Sequence, residues 1–81
     1  MNITLDDVIG VLEDIQEDVD YATCTTLIDD RILNSFDILA IVSAADDEFD
    51  VTIPAKDIVP ENFNSAQALC ALIQRLAEED E

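Results

Sequence analysis

Ser35 is among the few residues whose type could carry chemistry. It follows Asn34, a good helix N-cap, and precedes Phe36-Asp37-Ile38, so its hydroxyl falls in the first turn of a helix. There the unpaired N–H groups and the helix dipole favour negative charge. Other chemistries are excluded by composition. The chain has no His, which removes Ser-His-Asp and Cys-His nucleophiles and imidazole metal sites. Gly10 is the only glycine, so neither a P-loop nor a GxGxxG turn can form. No stretch alternates oxygen ligands around a central Gly and ends in Glu, as an EF-hand calcium loop must. With no nucleophile–base pair in view, the sequence reads as a non-enzyme.

Cys24 and Cys70 are far apart and too few for a disulfide framework, and two reduced thiols are expected. Cys70 lies in an apolar run and reads as a small hydrophobe. Cys24 lies in a Thr-rich stretch with nothing nearby to lower its pKa.

Charge narrows the partners. Twenty Asp and Glu against three Lys and Arg give a net −17 over 81 residues. Arg31, Lys56 and Arg75 cannot neutralise a run of phosphates, so nucleic-acid binding is not expected, and an anionic membrane would repel the chain. Such crowding should also cost stability that salt restores. The longest apolar runs, residues 38–42 and 68–73, are far short of the ~20 residues that span a bilayer. The N-terminal Asp6 and Asp7 do not read as a signal peptide, and the expected location is cytoplasmic. Yet 49% of the residues are hydrophobic, too many for a disordered acidic tail, and a chain this short closes one core. One domain over residues 1–81 is expected.

The elements that hold Ser35 follow from periodicity. Thr4 caps a first helix with Asp7 three residues on, and Leu5, Val8, Ile9, Leu12 and Ile15 recur at helical spacing. Residues 20–33 show no clean period and read as a long loop pinned by Leu27, Ile28, Ile32 and Leu33. The second helix starts at the Asn34 cap, with Asp37 completing a variant capping box. At about 100° per residue, Ile38, Ile41, Val42, Ala45 and Phe49 face the core. Phe36, Leu39, Ala40 and Ser43 lie on the opposite arc, followed by Asp46 and Asp47. Two accounts of Phe36 stand: it folds back onto the core, or it belongs to an exposed apolar face rimmed by charge, which marks a docking site.

After Phe49 a short extended link leads to Pro54, which suits the first turn of a short third helix through about Val59, stopped by Pro60. Phe63 is an expected core anchor. Ser65 caps the last helix, whose inward stripe is Leu69, Leu72, Ile73 and Leu76. Residues 78–81, four acids at a helix C-terminus, should fray. The expected fold is all-α: a four-helix bundle with three longer helices, a short third one and a long loop between helices 1 and 2.

Leu33-Asn34-Ser35-Phe36-Asp37-Ile38, followed by Glu48-Phe49-Asp50-Val51-Thr52-Ile53-Pro54, resembles the acyl carrier protein family. That family places a serine at the start of its second helix within an Asp-Ser-Leu type motif, and ends the helix in acids, a Phe-Asp and an Ile-Pro. The similarity continues through Asp57-Ile58 and Phe63-Asn64-Ser65, covering roughly residues 30–76. No single piece is specific, whereas the combination is.

The resemblance implies an acyl-carrier-like bundle acting as a free-standing carrier. A phosphopantetheinyl transferase would move 4′-phosphopantetheine from coenzyme A onto Ser35, flanked by Asn34 and Phe36. The arm would present an acyl thioester to enzymes of fatty-acid, polyketide or related biosynthesis. Acyl- or aminoacyl-loading and acyl-transfer enzymes would dock through basic patches on Asp37, Leu39, Ala40, Ser43, Asp46 and Asp47, with Glu48 nearby. For any one of these acids, a solvated face is the simpler role. A long acyl chain would enter between helices near Ile38, Ile41, Ala45 and Phe63, and the carrier would be a monomer. A D-alanyl, other aminoacyl or peptidyl carrier is one alternative, and an unmodified acidic interaction module of the same fold is another. Two positions depart from the family. Asn34 stands where Asp is usual, removing a charge beside the serine. Ala40 and Ser43 make the outer face shallower and less acidic than in a typical fatty-acid carrier.

Overall fold

Capping chemistry sets the helix starts. In the computed structural model, which describes residues 3–79, the first helix α1 spans Leu5–Ile15. The Thr4 hydroxyl accepts from the Asp7 N–H at 3.2 Å, and the Asp7 carboxylate accepts from the Thr4 N–H at 3.0 Å. Helix α2 spans Ser35–Phe49 behind an equivalent Asn34–Asp37 box. It ends where Asp50 adopts the left-handed conformation (φ 56°) and the Val51 N–H turns back onto the Ala45 carbonyl at 3.2 Å. Helix α4 spans Ala66–Glu79, and the Ser65 hydroxyl accepts from the Ala68 N–H at 3.0 Å.

The stretch after Pro54 differs from the sequence expectation. Ala55–Asp57 forms one 3-10 turn, and the short helix α3 is Pro60–Phe63. Proline chemistry gives the reason. The residue before a proline is disfavoured in the helical region, and Val59 is extended (φ −129°, ψ 153°), so no helix runs from Pro54 to Pro60. Pro60 itself suits the first helical position, where its missing N–H is not needed, and it starts a helix rather than stopping one. The bundle nevertheless has three longer helices and one short one, with a long α1–α2 loop, as expected.

The core stripe of each helix closes on the others. Val8 and Leu12 of α1, Ile41, Ala45 and Phe49 of α2, and Leu69, Leu72 and Ile73 of α4 are buried together with Phe63. Ile38 and Val42, expected on the inner arc of α2, pack against this cluster but stay half-buried. Cys70 is buried and free, and burial, with a smaller contribution from Asp7, raises its thiol pKa. Cys24 is half-buried. At roughly 1.5–3 kcal/mol per fully buried large apolar side chain, this shared cluster supplies the main drive to fold.

The α1–α2 loop is held by polar contacts as well as by Leu27 and Leu33. The Asn64 side-chain carbonyl accepts from the Ile28 and Asp29 N–H groups at 2.9 and 3.0 Å, and the Asn64 main-chain carbonyl accepts from the Leu27 N–H at 2.9 Å. The junction of α3 and α4 thereby replaces the backbone partners that an aperiodic segment lacks. Tyr21, not expected in the core from the sequence, is only 2% exposed.

At the far end of the chain, helix α4 runs through Glu78 and Glu79 rather than fraying at Glu78. Arg75 lies 3.8 Å from Glu79 and 3.3 Å from Asp57, offsetting acid at this C-terminus. The expectation for Asp80 and Glu81 lies outside the described residues. Among the described residues no helix is long and apolar enough to cross a membrane.

Candidate functional site

The site is built on the first turn of α2. Asn34 is extended (φ −105°, ψ −176°), and its Oδ1 accepts from the Asp37 N–H at 3.0 Å. Asp37 Oδ2 accepts from the Asn34 N–H at 3.1 Å, closing the box. Ser35 is therefore the first helical residue, and it is exposed. The two cap hydrogen bonds run around its side chain without using the hydroxyl.

Beside Ser35 lies an uncovered apolar face. Phe36 is 81% exposed and Leu39 63%, so Phe36 does not fold back onto the core. Ala40, Ser43, Asp46 and Asp47 are exposed, and helical spacing sets them on the same arc; Glu48 is exposed as well. The structure thus brings Ser35, Phe36, Leu39, Ala40, Ser43, Asp46 and Asp47 onto one side of α2. Asp37 is different. It is half-buried, and besides the cap its Oδ2 accepts from Gln16 Nε2 at 3.3 Å, across to the C-terminal end of α1.

Gln16 and Tyr21 are participants that sequence reasoning missed. Gln16 is the C-cap of α1, with its N–H donating to the Leu12 carbonyl at 2.8 Å. The Tyr21 hydroxyl is shared between the carbonyls of Gln16 (2.7 Å) and Leu12 (3.1 Å). The Gln16 carbonyl belongs to the group that every helix leaves unpaired at its C-terminus, and a buried phenol pairs it here, while the Leu12 carbonyl gains a second donor beside the Gln16 N–H. Burial first, and then the negative charge of Asp37, Glu13 and Cys24, pushes the Tyr21 pKa up to about 12. The available signals were weak: Tyr21 is the only tyrosine, and Gln16 follows the last apolar position of the first helix.

Three of the four residues expected around an acyl-chain entrance are interior ones. Ile41, Ala45 and Phe63 are each 1% exposed, and Ile38 is half-buried. A shallow depression of about 170 Å³ lies among Thr52, Pro54, Leu76 and Glu79, and none of Ile38, Ile41, Ala45 and Phe63 borders it. Among the described residues no cluster of His, Cys, Asp and Glu is arranged to hold a metal ion.

The surroundings of Ser35 suit a phosphodiester-linked arm. The flanking Asn34 and Phe36 are exposed, the hydroxyl is not committed to the cap, and the helix terminus favours a phosphate oxygen. No family model, no curated protein and no solved structure matches this chain.

Proposed function

We propose that the chain is a carrier protein modified on Ser35, and that α2 is the face its partner enzymes read. The observation that carries this reading is an exposed serine at the first position of α2 adjoining the uncovered Phe36 and Leu39. When attached, 4′-phosphopantetheine supplies a thiol that holds an acyl group as a thioester. The chain's own part is to present the Ser35 hydroxyl. The oxygen attacks the phosphorus that bears the pantetheine, the pyrophosphate bond of coenzyme A breaks, and the nucleotide leaves. The transferase takes the hydroxyl proton, so no base is required in this chain.

The charge supports transient docking. A net −17 with Asp46, Asp47 and Glu48 on the exposed part of α2 attracts basic enzyme surfaces and accelerates encounter. Phe36 and Leu39 then supply apolar contact in the centre, where desolvation gives most of the binding energy. Acyl-transfer enzymes of fatty-acid or polyketide type are the proposed partners, with D-alanyl or other aminoacyl loading as the variant for a small cargo.

A second reading has one observation in its favour. Asn34 is neutral where the carrier motif usually places an acid, which suits an unmodified acidic interaction module.

Intact mass separates the two. Incubation with coenzyme A and a broad-specificity phosphopantetheinyl transferase should add one phosphopantetheine to the native chain and none to Ser35→Ala. No addition with several transferases would overturn the carrier reading in favour of the interaction module.

A further inference from the structure

Three hydrogen bonds connect the end of α1 to the residue that precedes Ser35. The Tyr21 hydroxyl holds the Gln16 carbonyl at 2.7 Å. Gln16 Nε2 reaches Asp37 Oδ2 at 3.3 Å, and the same oxygen holds the Asn34 N–H at 3.1 Å. Gln16 and Asp37 are half-buried and Tyr21 is buried, so water competes for these contacts less than it would on an open surface. Asn34 and Ser35, by contrast, are exposed, and neither is braced by core packing.

We infer that Gln16 is a positioning residue for Ser35, acting through Asp37 and Asn34; this rests on the carrier reading of Ser35. Preorganisation of the serine is the physical basis. A first-turn serine on a free helix end samples several backbone orientations, because the first turn frays most easily. Tying Asp37 to α1 fixes the acceptor that holds the Asn34 N–H, and hence the direction from which the chain enters the Ser35 peptide. A nucleophile held in its attacking geometry reacts faster without binding its enzyme more tightly. Of the expected docking residues only Asp37, half-buried, takes part in these contacts; Leu39, Ala40, Ser43, Asp46 and Asp47 lie outside them. Loss of Gln16 therefore acts on turnover rather than on recognition.

The experiment measures transferase kinetics with the full chain as substrate, on native protein, Gln16→Ala, Gln16→Glu and Gln16→Arg. Gln74→Ala is the control: it deletes a comparable amide, whose Nε2 donates to the Ile3 carbonyl at 2.6 Å between other elements. Native protein is run first, and if it is not modified, the carrier reading fails and the positioning role falls with it. With modification established, Gln16→Ala should lower kcat about fivefold, equivalent to about 1 kcal/mol of barrier, with KM nearly unchanged. Gln16→Glu, which sets a carboxylate against Asp37, should lower kcat further, and Gln16→Arg, which restores a donor, should recover it. Amide hydrogen exchange supplies a readout independent of the transferase: the Asn34 and Asp37 N–H groups should exchange faster in Gln16→Ala and not in Gln74→Ala. An unchanged kcat in folded Gln16→Ala, or equal losses in Gln16→Ala and Gln74→Ala, would overturn the inference.

Discussion

The Tyr21 hydroxyl donates to the Gln16 carbonyl at 2.7 Å, so a residue of the long loop closes the C-terminus of the helix that precedes it. Removing the phenol oxygen leaves the Gln16 and Leu12 carbonyls without that donor. Tyr21→Phe should cost about 1–2 kcal/mol in chemical denaturation, since the ring still fills its place and only the hydrogen bonding is lost. The native protein should also show an alkaline loss of stability. The folded pKa is raised to about 12 from an ordinary 10, so the folded state keeps a proton that the unfolded chain releases. The stabilisation is complete below pH 10 and disappears as pH rises through about 12. Denaturation midpoints followed across this window should fall for the native protein and more gently for Tyr21→Phe.

Asn34 combines a cap with a neutral side chain. Asn34→Ala removes the acceptor for the Asp37 N–H and should destabilise by about 1 kcal/mol. Asn34→Asp keeps that acceptor and adds a charge at the favourable end of the helix dipole, worth about 0.3–1 kcal/mol before repulsion from Asp37 is counted. In the mass assay Asn34→Asp should be modified at least as fast as the native chain, and Asn34→Ala more slowly. A faster Asn34→Ala would show that the cap is irrelevant to modification.

Phe36 and Leu39 contribute little to the bundle and, on the proposed carrier reading, area to a partner. Phe36→Ser and Leu39→Ser should leave the melting midpoint nearly unchanged, within about 0.5 kcal/mol, because the side chains are 81% and 63% exposed. The same substitutions should raise KM for the transferase severalfold. A large loss of stability in either would place that side chain in the core.

Net charge sets a further expectation. With −17 on 81 residues, raising ionic strength from ~0.01 to ~0.15 M shortens the screening length from about 30 to about 8 Å and weakens repulsion between carboxylates. The thermal midpoint should rise over this range. A midpoint that stays constant would mean that the Arg75 pairs and local solvation already absorb the repulsion.

The parts of this protein legible in its sequence are those governed by neighbours along the chain. The Thr4 and Asn34 capping boxes, the Ser65 cap and the inward stripes of the three long helices depend on spacings of three and four residues, and all are present in the structure. The position of Ser35 in the first turn of α2 follows from the same local chemistry. The run from Pro54 to Pro60 is not legible in the same way, because a proline suits a helix start and a helix end alike. Its role is decided by whether the preceding residue is extended, as Val59 is.

Tertiary structure alone decided the rest. An apolar outer arc can be core or surface, and only the packing of Ile41, Ala45 and Phe49 into the shared core leaves Phe36 and Leu39 uncovered. Tyr21 and Gln16 lie where no period exists, and their roles come from carbonyls and carboxylates brought close by folding. Gln16 and Asp37 are 21 residues apart in the chain and 3.3 Å apart in space. Asn64 likewise meets Ile28 across 36 residues. Hydrogen bonds of this kind have no periodicity, because each joins one donor to one acceptor whose meeting depends on the path of the whole chain. Local spacing determined where the serine sits, and the closed fold determined what surrounds and orients it.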